Sequence, residues 1–356
     1  MSIQKGKRSI IVSIAIMVVL IVLSGCTNGG SPKEALLKAM EKTAAAESYS
    51  AQTTVTIHEA NIPVQGDKAA SAGYVATVLK GSKLHMNTEY RKEPFRTDWK
   101  LQLELAGGGV TLNVPMIATG DKLYMKLPAL PALPLPEAAT DKYIELALQE
   151  QNNASKDAEG DVAANRQLLA GDVQKLIMTS FDGDGYFSEL ETKDAGLPEG
   201  VKAERVIRFG ITPQNQADAA AAVTGKLLPG LYDLLLDNAE YLKLLNVTKE
   251  RVEQWKGDLA AGSDGLTERL KAGLKVNDIS IVSAIRDGYV HYQSMTINVE
   301  WKDTVSGAER VSGKLDLRFD TEYNGINKPV AFEQELPTDP LTWEQFTQLL
   351  QSPSAM

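Results

Sequence analysis

The residues able to do chemistry are few and scattered. The chain of 356 residues has one cysteine, Cys26, and three histidines, His58, His85 and His291, each within a stretch of strand-like alternation. Histidines so far apart read as structural side chains satisfied by their neighbours rather than as a metal trio or a catalytic base. One cysteine excludes an internal disulfide and any multi-cysteine zinc site. The G-x-S-x-G, H-E-x-x-H, Walker A and dinucleotide-binding fingerprints are absent, and no two carboxylates stand out as an acid and base couple. The expectation is a protein that is not an enzyme and requires no cofactor. One segment has metal-like spacing. Ser180, Asp182, Asp184 and Ser188 place oxygens at positions 1, 3, 5 and 9 of a twelve-residue loop, Gly185 falls at 6, the Tyr186 carbonyl at 7 and Glu191 at 12. That spacing wraps calcium. Ser180 at the first position removes an anionic ligand, so the competing expectation is an acidic turn between a helix and a strand.

Cys26 takes its meaning from what precedes it. Lys5, Lys7 and Arg8 form a positive start, and residues 10–23 are an apolar run of 14. A membrane-spanning helix needs about 20 apolar residues, so this run has the length of a secretory signal. Leu23-Ser24-Gly25-Cys26 closes it and resembles the lipobox of bacterial lipoproteins. The resemblance implies a diacylglyceryl group on the Cys26 thiol and cleavage just before that residue. Residues 1–25 are then a signal peptide and residues 26–30 a lipidated cysteine with a short tether. The expected location is the extracytoplasmic face of the cell membrane, with the bilayer as first partner. Two or more acyl chains anchor stably, at about 0.8 kcal/mol per buried CH₂. Losing residues 1–25 leaves 331 residues and moves the net charge from −9 to −12. An acidic body excludes a general nucleic-acid binder. It is also weakly repelled by an anionic bilayer, so adhesion falls to the lipid.

The elements that position these residues follow from periodicity. Ser31-Pro32-Lys33-Glu34 has the residues of a helix start, with apolar positions running to about residue 47. The period then changes to two. Phe95, Thr97, Trp99, Leu101 and Leu103 alternate with Arg96, Asp98, Lys100, Gln102 and Glu104. Such one-sided alternation predicts about six antiparallel strands between residues 49 and 147, with a turn at residues 107–109. Residues 127–136 alternate leucine with proline and predict an extended loop. Its Leu127, Leu130, Leu133 and Leu135 suit either an apolar lip or a crossover packed on the core. Helical spacing covers residues 162–181, and a strand is predicted at 204–211. A helical region follows, divided at Pro229-Gly230, with separate helices around Trp255 and over 266–274. Strands return with turns at Asp287-Gly288 and Asn324-Gly325, and Asp339-Pro340 caps a last short helix.

The fold class expected is α+β: one large curved antiparallel sheet, a half-open barrel, with helices on its concave face and residues 31–356 as a single domain. The helix opening Pro-Lys-Glu-Ala after a lipidated cysteine, the stretch Gly120-Asp-Lys-Leu-Tyr-Met-Lys126, and Lys142-Tyr-Ile-Glu145 resemble the LolA/LppX/LprG-like lipoproteins, in particular their Gram-positive branch. The resemblance implies a lid of helices over an apolar cavity, and binding or carriage of a lipid or other hydrophobic molecule at the cell envelope. The inward strand residues Trp99, Leu101, Leu103, Leu112, Leu123 and Met125 are the candidates for lining such a cavity. Their alternative is an ordinary packed core. The alternative function is a protein-interaction or envelope-stress-sensing module without a cavity.

Overall fold

The computed structural model describes residues 30–61, 76–106, 111–120, 122–128, 136–140, 142–147, 161–183, 185–302 and 312–351. The signal segment, Cys26, the turn at 107–109, Asp184 and the loop leucines Leu130, Leu133 and Leu135 lie outside the described residues.

Helix α1, Pro32–Ala44, begins as its sequence dictates. The Glu34 backbone N–H donates to Ser31 Oγ at 3.3 Å, and the Ser31 N–H donates to the Glu34 carboxylate at 3.1 Å. This reciprocal cap satisfies donors that a helix start leaves open. Six strands follow: β1 (Ser48–Asn61), β2 (Lys83–Arg91), β3 (Arg96–Glu104), β4 (Thr111–Thr119), β5 (Lys122–Met125) and β6 (Ile144–Ala147). Each pairs antiparallel with the next, as the alternation predicts.

Helix α2, Asp161–Ser180, separates this meander from the short β7 (Phe187–Leu190) and from β8 (Arg205–Ile211). The long strands β9 (Leu274–Arg286), β10 (Tyr289–Lys302) and β11 (Ser312–Asn324) complete the second half. Asp287 and Gly288 both have positive φ, 53° and 74°, as the predicted two-residue hairpin turn requires. β11 pairs with β1 and joins the halves into one open sheet of 12 strands, in the order β12-β6-β5-β4-β3-β2-β1-β11-β10-β9-β8-β7. β12 is Leu341–Thr342, parallel to β6. The α+β class is therefore observed, with every other pairing antiparallel.

Three expectations are corrected in the helices. Pro229-Gly230 does not divide the helical region. Helix α3 (Gln216–Ala222) runs through a π-helical turn, Val223–Leu227, directly into α4 (Leu228–Asp237). The wider turn accommodates the backbone that proline would otherwise interrupt. Gly230 has a packing role, because a Cβ there would lie 2.6 Å from Leu176 Cδ1 of α2. After α5 (Ala239–Leu244), the two helices expected near Trp255 and at 266–274 form one, α6 (Lys249–Gly273), capped by Thr248 as its sequence indicates. The last helix, α7 (Trp343–Gln351), is capped by Thr342 rather than Asp339. Leu341 is already held by β6 through the Tyr143 carbonyl, so the helix starts beyond it.

Packing is asymmetric across the sheet. Leu36 and Met40 of α1 meet Met178 of α2, and both helices lie on Ile207, Phe209 and Val290 of the second half. Helices α4, α5 and α6 form a separate cluster around Leu235, Tyr241 and Val252. Tyr241 ties it to α2 by donating to Asp172 Oδ2 at 2.6 Å. On the opposite sheet face, Asp98 is only 2% exposed and receives both Nε and Nη2 of Arg96 at 2.8 Å. The segment after β11 crosses there. Phe332 lies under the Arg96 guanidinium at 4.3 Å, and Gln334 accepts from Tyr143 at 3.0 Å.

Candidate functional site

Between the sheet and the two long helices lies a cavity of about 810 Å³. Protein interiors rarely leave voids larger than a water molecule, whereas ligand pockets run from about 300 to 1,000 Å³. Its roof is Met40, Thr43 and Ala44 of α1 with Gly171, Gln174 and Ile177 of α2. Its floor spans seven neighbouring strands, from Ala118 on β4 to Ile281 on β9. A flat sheet would spread those strands over about 29 Å. Converging on one cavity requires the sheet to curve around it, which supplies the concave face expected from the sequence.

The void exists because small residues stand where the helices and sheet approach. A Cβ on Gly171 would meet nothing within 4 Å, and Ala44, Ala118 and Ala170 add little bulk to the walls. One end is aromatic. Tyr49 on β1 and Tyr90 on β2 are Cα partners with ring centroids 4.8 Å apart, and Tyr323 of β11 meets Tyr49 edge-on at 5.4 Å. Burial, and then the neighbouring Tyr323 and Tyr90 hydroxyls, push the Tyr49 pKa above its ordinary value. Burial does the same to Tyr323, so both rings carry neutral hydroxyls. Thr43 is committed within the protein. Its hydroxyl donates to the Ala39 carbonyl at 2.7 Å and accepts the Val290 N–H at 2.9 Å.

Of the six candidate lining residues, Trp99 alone borders this cavity. Leu101 and Leu103 follow it on the same face of β3, and Leu112 is the cross-strand partner of Leu103. Leu123 and Met125 share that face as partners of Ala118 and Met116. These five are half-buried and do not border the cavity, whose lining on β3 is Thr97 and Trp99. Alternation places them on the same sheet face as Trp99 but carries nothing about how far along the strands the cavity extends. Tyr49 and Tyr90 were legible in the same alternation. The helix contribution, Gly171 and Gln174, had no signal, because a glycine in a helix reads only as a weak position.

The calcium-like loop is organised around lysines. Asp182 accepts Lys33 Nζ of α1 on one oxygen and Lys226 Nζ of the π-helical turn on the other, both at 2.7 Å. The hydrogen bonds from the two ammonium groups hold its carboxyl at about 2, well below the usual carboxylate range. Ser180 Oγ donates back to the Leu176 carbonyl at 2.7 Å, Tyr186 is buried, and Ser188 and Glu191 are exposed on and just after β7. A strand rather than a second helix follows the loop. A calcium ion would have to displace both lysines from Asp182.

His58 is exposed, His85 bonds Thr54 Oγ1 at 3.1 Å, and His291 lies 3.0 Å from Arg286 Nη2 on a different strand. Among the described residues no group of three or more His, Cys, Asp or Glu is placed to hold a metal ion. Leu127, the described leucine of the proline-rich loop, packs against Ile144 and Phe346.

No protein-family profile and no curated protein matches the chain. Among solved structures, a study of lipid–protein interactions in lipovitellin aligns with 82% of this chain at 10% identity and a TM-score of 0.24. The chain spans 26% of that protein's length. A conserved hypothetical protein from Mycobacterium tuberculosis with a double hotdog fold aligns with 83% of both chains at 13% identity and a TM-score of 0.12. Both scores lie far below those of a shared fold.

Proposed function

We propose that this protein holds a lipid or other hydrophobic molecule in the cavity between its sheet and helices α1 and α2, at the outer surface of the cell membrane. The observation that carries the reading is the cavity itself: about 810 Å³, walled mainly by apolar and aromatic side chains and kept open by Gly171 and its alanine neighbours. An apolar cavity favours a ligand without hydrogen-bonding demands over water. It also favours ligand holding over an interaction module with a filled core. The anchoring half of the proposal rests on the sequence of residues 1–26. Acyl groups on Cys26 and a short tether would keep the cavity near its source of ligand.

Uptake of an environment-sensitive apolar dye tests the cavity. Saturable binding displaced by a long-chain lipid supports the proposal, and failure to bind counts against it. Metabolic labelling with a palmitate analogue tests the anchor. Label is expected on the full chain and absent in Cys26→Ala, and label persisting in that variant would refute the assignment.

A further inference from the structure

The polar groups that the described residues bring to the cavity wall are all neutral, and we infer that the cavity selects the uncharged member among otherwise equal apolar ligands: an ester, alcohol or hydrocarbon in preference to a carboxylate or sulfonate. The inference rests on the ligand-holding reading and adds the chemical class of the ligand.

Among the described residues, no lysine, arginine, histidine, aspartate or glutamate lines the cavity. Two lysines of α1 are engaged elsewhere. Lys33 binds Asp182, and Lys42 donates to the Asp287 carbonyl at 2.9 Å while lying 4.0 Å over the Tyr289 ring. An anionic group drawn into the cavity would lose its water without gaining a counter-charge, and such a group binds weakly or takes up a proton.

The same wall does offer partners to a neutral polar group. Tyr49, Tyr323, Thr88 and Thr97 line the cavity, and among the described residues their hydroxyls have no hydrogen-bond partner. The Gln174 carboxamide of α2 is in the same position. Gln293 is different, since its Nε2 already donates to Ser283 Oγ at 3.1 Å. Hydroxyls and a carboxamide both donate and accept, so they match an ester carbonyl or an alcohol equally well. Tyr49 and Tyr323 gather at one end and Gln174 lies in the roof, which gives a ligand two separate places for a neutral polar group. A small number of placed polar groups in an apolar pocket is how such sites fix orientation.

Two dyes of one skeleton make the test. N-phenyl-naphthylamine is neutral, and anilinonaphthalene sulfonate adds a sulfonate to the same ring system. Both are titrated into the full chain, at low salt and at molar salt. At molar salt the Debye length is about 3 Å, which removes the general repulsion from an acidic protein. The expected result is that the neutral dye binds at least about tenfold more tightly in both conditions. Gln174→Lys should shift the preference toward the sulfonate by about tenfold, by supplying the missing counter-charge. Equal or tighter sulfonate binding by the unaltered protein at molar salt would overturn the inference and leave ligand holding intact. Failure of both dyes to bind would overturn the ligand-holding reading, and the inference with it. The comparison in the unaltered protein decides the matter even if the lysine variant does not fold.

Discussion

Tyr49 and Tyr90 face one another across β1 and β2 as Cα partners, with their ring planes tilted by 31° and their centroids 4.8 Å apart. Tyr90 is buried and Tyr49 half-buried, and both rings border the cavity. Aromatic pairs of this geometry are rigid and add about 0.5–1.5 kcal/mol beyond the area they bury. The pair therefore gives the cavity a firm end wall on the strands, while its other wall is helical.

Filling the cavity from the helical side should separate binding from stability. Gly171→Leu places a side chain where a Cβ meets nothing within 4 Å. Replacing an interior helix glycine gains roughly 0.5–1 kcal/mol of helix propensity. The variant should melt at a higher temperature and lose about tenfold in affinity for a neutral apolar dye. Unchanged affinity would place the dye elsewhere.

The buried ion pair on the outer face should be costly to break. Asp98→Ala would leave the Arg96 guanidinium without its carboxylate, beside Phe332 and the Gln334 backbone. Removing one partner of a buried pair costs about 3–5 kcal/mol. Urea denaturation should show a loss near the low end of that range, because Arg96 keeps some access to water. A loss below about 1 kcal/mol would mean that the crossing segment does not hold this pair in place.

Gly313 is a second site of close approach. It is the Cα partner of Trp301, and a Cβ there would lie 2.2 Å from the indole Cζ2. Gly313→Ala should displace the indole and destabilise the fold by about 2 kcal/mol. Thermal unfolding measures it, and a neutral result would show that Trp301 has another place to go.

Asp182 gives a pH signature. Its carboxyl is held at about 2 in the folded chain, below the ordinary value of 3.8. A lowered carboxylate pKa stabilises the fold above the unfolded pKa, and that contribution is lost as pH falls from about 4 to about 2. Asp182 is exposed, so the effect should be small and reduced by salt. Asp182→Asn should remove this part of the acid sensitivity. The same variant addresses calcium. With both oxygens held by lysines, millimolar calcium should give no heat on titration, and heat abolished by Asp182→Asn would contradict the lysine clamp.

What was legible in the sequence follows from what each signal encodes. Period-two alternation reports which face a strand residue occupies, so the meander and the inward phase of Trp99, Leu101 and Leu103 could be read directly. It carries nothing about which strands meet across the chain. The β1–β11 pairing that joins the halves was therefore invisible, and so was the level at which helices cover the face. Local chemistry fixed the caps at Ser31 and Thr248. It misjudged Pro229, where a π-helical turn absorbs the proline, and Asp339, where pairing with β6 claims Leu341 and Thr342 before the helix starts. The lysine clamp on Asp182 brings together residues 33, 182 and 226, and no local spacing contains that relationship.

The central claim is that the cavity holds an apolar ligand, and native mass spectrometry of the protein purified from the cells that make it tests it most directly. The account predicts a non-covalent adduct of lipid mass that is released on activation and is depleted in Gly171→Leu. A bare protein mass, together with no uptake of N-phenyl-naphthylamine, would contradict it.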